Sequence, residues 1–241
     1  MPSAKEIIAS IPQNVSICAV TKQRSLEEVK KLLTDCPRIS SIGENRWPDC
    51  EEKFQYFAPT TTNSGVQERH FIGPIQSNKI NKILPLVDCI QSVDSLELLQ
   101  KIQSKFAPNS TSSTLPHPSR VIKFCIQVNI SEDQAKQGLS PADLPAFIEA
   151  YLKLETPNLQ LTGLMTIGAQ ASPAERQKYF ADFRQLFDQI NKEYFPVPGL
   201  ENAHPPLTTL SMGMSDDYLL AIKEGATMVR LGRCLFESTP E

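Results

Sequence analysis

The chain has 241 residues, 40% of them hydrophobic, and a formal net charge of -3 at pH 7. That length fits one domain spanning residues 1–241, and the charge speaks against an electrostatic grip on nucleic acid or anionic lipid. No stretch approaches an apolar membrane span, and six scattered cysteines with no C-x-x-C pair read as free thiols in a reducing, cytoplasmic setting.

Short apolar runs alternate with amphipathic stretches along the chain. An extra helix is expected over Ser3–Ile11, covering the floor of the fold. Strands are then expected near 16–22, 39–43, 69–73, 87–92, 121–129, 159–165, 207–211 and 227–231. Helices are expected near 25–34, 45–57, 76–84, 94–106, 140–153, 172–194 and 215–224, with only a short one after Phe236. Ser25 with Glu28, and Ser172 with Glu175, have the spacing of capping boxes. Pro85 is expected to end the helix that begins near Gln76. The segment 107–119, rich in Ser, Thr and Pro, reads as a mobile surface loop, with His117 exposed on it.

Eight repeats of strand and helix predict parallel strands, because each crossover returns the chain to the same sheet edge. Closure into a single (β/α)8 TIM-type barrel is the simplest α/β architecture for that count. An open doubly wound sheet is the alternative.

The chemistry-bearing residues fall at predicted strand ends. Six of the ten glycines do so, namely Gly43, Gly73, Gly163, Gly168, Gly213 and Gly232. Lys22, Glu44, Asn45, Gln76, Asn78, Asn129, Met165, Thr166, Ser211, Ser215 and Arg230 fall there too. In a parallel barrel these ends share one rim, where active sites are built. Lys22 follows Ile17-Cys-Ala-Val-Thr21, which sets its stem against hydrocarbon and favours a neutral, nucleophilic amine. The alternative is a strand-end lysine reaching for water.

The loops Ser211-Met-Gly-Met-Ser215 and Arg230-Leu-Gly232 follow the last two strands, which often bind phosphate through backbone N–H groups. Ser211 offers a hydroxyl donor, and Ser215 is expected to cap the next helix. Met212, Gly213 and Gly232 line the turns. Arg230 either faces a ligand ring or forms a structural ion pair. A ligand with an aldehyde at one end and a phosphate at the other suits this set, and pyridoxal 5′-phosphate fits that description.

Weaker candidates stand beside these. Asn45 either meets a ring hydroxyl or caps the following helix. His70 reads as a satisfied core histidine and Trp47 as a packing residue. The three histidines have no ligand cluster around them, so a metal site is not expected. Elbow, P-loop and dinucleotide-binding motifs are all missing from the sequence.

Together, Ala19-Val-Thr-Lys22, Ile42-Gly-Glu-Asn45, His70-Phe-Ile-Gly73, Gln76-Ser-Asn-Lys79 and Gln91-Ser-Val-Asp94 resemble the pyridoxal phosphate homeostasis protein family. So do Gln127-Val-Asn129, Gly163-Leu-Met-Thr-Ile-Gly168, Leu210–Ser215 and Val229-Arg-Leu-Gly232. The resemblance runs over nearly the whole chain. It implies a fold-type III barrel related to the alanine racemase N-terminal domain, without the racemase β-domain. It also implies pyridoxal 5′-phosphate as a Schiff base on Lys22, with phosphate contacts from Ser211–Ser215 and Arg230–Gly232.

A racemase needs an acid–base group on each face of its substrate and a site closed to water. The expectation here is a carrier without turnover, a cytoplasmic monomer that serves vitamin B6 homeostasis and hands the cofactor to apo-enzymes. An amino-acid racemase of the same barrel type is the alternative. A barrel for another phosphorylated metabolite, with Lys22 as counter-ion, is a third.

Overall fold

A computed structural model describes residues 2–58, 68–106, 120–131, 133, 136–154, 156–168, 171–195 and 204–236. The expected loop at 107–119, with His117, lies outside the described residues. The strands are β1 Ser16–Val20, β2 Ser41–Glu44, β3 Glu68–Phe71, β4 Cys89–Val93, β5 Ile122–Gln127, β6 Leu159–Met165, β7 Thr209–Ser211 and β8 Met228–Leu231. They form a closed barrel in chain order, every neighbouring pair parallel, with β1 beside β8. This is the (β/α)8 barrel expected from the alternation, and it excludes the open sheet.

Side chains on each strand alternate between two destinations. Ile17, Ile42, Ile90, Phe124, Leu210 and Val229 face outward and are fully buried under the helices. Covering a side chain of that size contributes roughly 1.5–3 kcal/mol. The inward set is mostly polar or small, with a few methionines: Cys18 aligns with Arg230, Gly43 with His70, and Met165 with Ser211.

The described helices are α1 Ala4–Ser10, α2 Leu26–Asp35, α3 Glu51–Tyr56, α4 Ile80–Ile83, α5 Leu96–Gln103, α6 Leu144–Leu152, α7 Pro173–Tyr194, α8 Tyr218–Lys223 and α9 Arg233–Phe236. Both expected capping boxes are present, and Ser3 with Glu6 makes a third that opens α1. α1 packs beside α2 and α9 in the helix ring, where Lys5 pairs with Asp35. In α7, Phe180, Phe183, Phe187 and Ile190 form one buried stripe.

The helix expected over 45–57 begins only at Glu51, because Pro48 lacks an N–H and disfavours helical backbone at Trp47. The helix expected near 76–84 shortens to α4 between two tighter turns, the second holding Pro85. None of the described helices is long and apolar enough to cross a membrane.

Gly163 on β6 sits so close to β7 that a Cβ there would lie 1.8 Å from the Thr209 carbonyl oxygen. Gly163→Ala must therefore push two paired strands apart. We expect a loss of about 3 kcal/mol, read as a lower urea midpoint with unchanged slope. An unshifted midpoint would mean that β6 and β7 do not approach this closely.

Candidate functional site

The turn after β1 carries Lys22. Its backbone is closed by the Arg24 N–H donating to the Thr21 carbonyl at 3.1 Å, with Gln23 in the left-handed region at φ 60. A side chain other than glycine pays about 1–2 kcal/mol for that conformation, so the surroundings must hold it.

They do so from the outer side of the sheet. Lys53 of α3 donates to the Thr21 carbonyl at 2.7 Å and to Glu44 at the end of β2. The Thr21 hydroxyl donates to the same Glu44 oxygen at 2.6 Å. Glu44 is fully buried, and its second carboxylate oxygen has no partner among the described residues. Burial pushes its carboxyl above the usual range, against the pull of Lys53 and Thr21. This cluster was not foreseen in the sequence, where Glu44 stood only as a strand-end residue.

Lys22 itself is exposed at the rim, and no hydrogen bond or ion pair holds its amine among the described residues. The expectation of a stem packed against hydrocarbon is therefore corrected: the strand ends at Val20, and the turn lifts Lys22 clear of it.

Closure of the barrel puts the β8 turn next to this lysine. Gly232 lies against Val20, close enough that a Cβ on it would be 3.4 Å from the Val20 carbonyl oxygen. Its N–H donates to the Ser215 hydroxyl at 3.3 Å, and the Cys234 N–H points to the same oxygen at 3.4 Å. Ser215 thus bridges the two late turns and does not cap α8. Asp217 closes that loop instead, its carboxylate accepting from the Met214 N–H at 2.7 Å. Gly213 adopts φ 90 there, which an L side chain tolerates poorly.

Arg230 points into the barrel and is 3% exposed. It donates to the Ser211 hydroxyl and to the Thr166 carbonyl, each at 2.7 Å. No carboxylate pairs with it among the described residues, which removes the ion-pair alternative there. Ser211 donates its own hydrogen to Gln91 at 2.7 Å, so its hydroxyl is committed inside the barrel and is not free for a phosphate. Met212 faces the helix shell, and its N–H bonds the Met228 carbonyl. It stands apart from the other candidates. Met165 is buried, level with Ser211 on the inward side. Asn45 lines a cleft with Trp47, Phe71, Gln76 and Lys79 and caps no helix.

Below the mouth, Gln91 reaches His70 at 2.6 Å, and His70 reaches Glu68 at 2.9 Å. Lys123 also bonds Glu68. The hydrogen bond from His70, joined by Lys123, holds the Glu68 carboxyl down at about 2 despite its burial. His70 is thus a satisfied core histidine, as its sequence context suggests. Among the described residues, no group of three or more His, Cys, Asp or Glu could hold a metal ion.

Residues 4–240 match the family described as alanine racemase, N-terminal domain. The pyridoxal phosphate homeostasis protein of Pseudomonas aeruginosa is 36% identical over 226 residues, covering 93% of this chain and 85% of the relative. That of Escherichia coli strain K12 is 32% identical over 225 residues, covering 93% and 86%. The chain belongs to the pyridoxal phosphate homeostasis protein family.

Among solved structures, the relative PipY of Synechococcus elongatus, with PLP bound, has a TM-score of 0.76 and 29% identity over 96% of this chain and 97% of that one. Alanine racemase of Corynebacterium glutamicum, at 15% identity and a TM-score of 0.66, shares the fold over 98% of this chain but only 59% of its own. Membership of the family agrees with the resemblance carried by the strand-end motifs, since the matched span includes all of them.

Proposed function

We propose that the chain binds pyridoxal 5′-phosphate at the barrel mouth, holds it through Lys22, and carries it in vitamin B6 homeostasis without turnover of its own. One observation carries the reading. A buried cation, Arg230, has no carboxylate partner among the described residues, and it lies on the strand beside the one that leads to Lys22. Buried charges are normally paired, so this guanidinium suits an anionic or electron-rich ligand.

The residues present fit that ligand. Lys22 is a free amine within reach of solvent, and Gly232 and Cys234 direct two N–H groups at a single oxygen from the β7 loop. Such converging donors are the geometry that a phosphate oxygen requires. When bound, the cofactor supplies a reactive aldehyde. Lys22 would hold the aldehyde carbon, the turns at Gly213–Ser215 and Gly232 would hold the phosphate, and Arg230, Asn45 and Met165 would border the ring. Ser211 acts here as the acceptor that positions Arg230.

The carrier reading draws further support from exposure. An incoming amine can reach Lys22 without any change of fold, whereas an enzyme that stabilises a carbanion must shut water out. Relatives sharing about a third of the sequence carry the homeostasis name, while the solved alanine racemase, at 15% identity, is alike in fold alone. We also read the chain as a cytoplasmic monomer that serves apo-enzymes. The absence of disulfides among its described cysteines, five of them buried, is in keeping with a reducing compartment.

Purified protein mixed with pyridoxal 5′-phosphate is expected to retain it stoichiometrically through gel filtration. It is expected not to exchange the α-proton of alanine in heavy water faster than free cofactor does. Enzymatic exchange would move the chain to the racemase reading, and failure to retain the ligand would remove the proposal.

A further inference from the structure

The barrel interior contains one continuous hydrogen-bonded file from mouth to floor. Arg230 donates to the Ser211 hydroxyl, Ser211 to the Gln91 carbonyl oxygen, and the Gln91 amide to His70 Nδ1. The His70 Nε2–H then donates to Glu68. The Gln91 amide, with its oxygen toward Ser211 and its NH2 group toward His70 and Met228 Sδ, sets the direction of the two inner bonds. A guanidinium can only donate and a carboxylate can only accept. Glu68 therefore requires a proton on Nε2, and with Gln91 donating to it, Nδ1 must be bare and the imidazole neutral.

Adding a proton to Nδ1 sets donor against donor. The file has one way to relieve this, a flip of the Gln91 amide. The carbonyl oxygen then turns to His70, and the NH2 group turns to Ser211. Two bonds are lost: the donation from Gln91 to Met228 Sδ at 3.3 Å, and the acceptor of the Ser211 hydrogen. Ser211 would then receive from both Gln91 and Arg230, with its own hydrogen unplaced. The file is thus a two-state element with the imidazole at one end and the guanidinium at the other.

We propose that His70 is a positioning residue whose protonation state, relayed by Gln91 and Ser211, sets how Arg230 is held at the mouth and so how firmly the mouth grips its ligand. The last clause rests on the reading of the mouth as a pyridoxal 5′-phosphate site; the relay itself does not.

The other titratable groups sharing the interior with His70 do not compete for this role. Glu68 on β3 is held ionised with Lys123 on β5. Burial pushes the Cys18 thiol on β1 up to about 12, and a hydrogen bond with Cys125 on β5, together with burial, raises the Cys89 thiol on β4 well above its ordinary range. Arg230 on β8 stays a cation. Glu44 on β2 lies on the outer face with Lys53.

Nitrogen NMR of the cofactor-free protein tests the relay directly. At neutral pH His70 should show a protonated Nε2 and a bare Nδ1, and the Arg230 side-chain resonances should shift with the same midpoint as His70. In Gln91→Leu the imidazole should still titrate while Arg230 no longer responds; should that variant not fold, Ser211→Ala breaks the file one link higher. A protonated Nδ1 at neutral pH, or an Arg230 signal indifferent to His70, overturns the proposal.

Affinity for pyridoxal 5′-phosphate supplies the second arm. It should fall about three- to tenfold as His70 protonates, the loss expected for one or two neutral hydrogen bonds. The ligand brings a pH dependence of its own, so the relay is measured by the part of this dependence that Gln91→Leu abolishes. An equal dependence in both proteins overturns the link to the ligand. No binding at any pH sinks the cofactor reading instead, and leaves the NMR result to decide the relay.

Discussion

Lys53→Met is expected to destabilise the protein by about 3–5 kcal/mol at neutral pH, the cost of leaving a buried carboxylate without its counter-charge. Lys53 and Glu44 are both almost completely shielded from solvent, and the second oxygen of Glu44 already lacks a partner among the described residues. Removing the ammonium leaves the Thr21 hydroxyl as the one described donor to that carboxylate.

The pH dependence has a definite sign. Burial raises the Glu44 pKa in the folded state, so its contribution favours folding below the unfolded carboxyl range and is lost as pH rises through the folded value. Without Lys53 that pKa rises further. The deficit of Lys53→Met should therefore be largest at neutral pH and shrink in mild acid. The double variant Glu44→Leu, Lys53→Met should recover most of the stability, because an apolar pair of similar volume avoids both desolvation penalties. Urea titrations across pH check this; a neutral-pH loss below about 1 kcal/mol would mean that the pair is solvated. The same substitution also removes the bond that pins the Thr21 carbonyl, so the turn presenting Lys22 should loosen before the barrel unfolds.

Lys22→Ala is expected to have the opposite profile, complete loss of covalent retention with almost no change in stability. The lysine is exposed and makes no described bond, and surface changes of that kind usually fall within about 0.5 kcal/mol. The variant should keep its far-ultraviolet spectrum and urea midpoint, while the yellow absorbance of protein mixed with pyridoxal 5′-phosphate disappears. A large drop in midpoint would assign Lys22 to the fold. Persistence of the absorbance would assign the attachment to another amine.

The architecture was readable because the physics that sets it is local. Each strand is a short apolar run between turn residues, and Ser25 and Ser172 announce their helices through a glutamate three positions on. The rim was readable for a related reason: alternating strand and helix brings every strand end to one face, so Lys22, Asn45, Ser211 and Arg230 could be grouped without coordinates. What the sequence hid depends on partners far apart in the chain. Ser211 looks like a phosphate donor until Gln91, 120 residues earlier, takes its hydrogen. Glu44 looks like a rim residue until Lys53 meets it on the outer face. Ser215 looks like a helix cap until closure of the barrel brings Gly232 and Cys234 to its hydroxyl. Lys22 was placed in hydrocarbon because its neighbours are apolar, yet a three-residue turn is enough to carry it into solvent.

The central claim is that one amine at the rim holds the cofactor, and it meets its most direct test in wild-type protein loaded with pyridoxal 5′-phosphate, reduced with borohydride, digested and weighed by mass spectrometry. A phosphopyridoxyl group on the peptide containing Lys22 is the predicted result. An unmodified Lys22, with the label absent or on a different lysine, would contradict it.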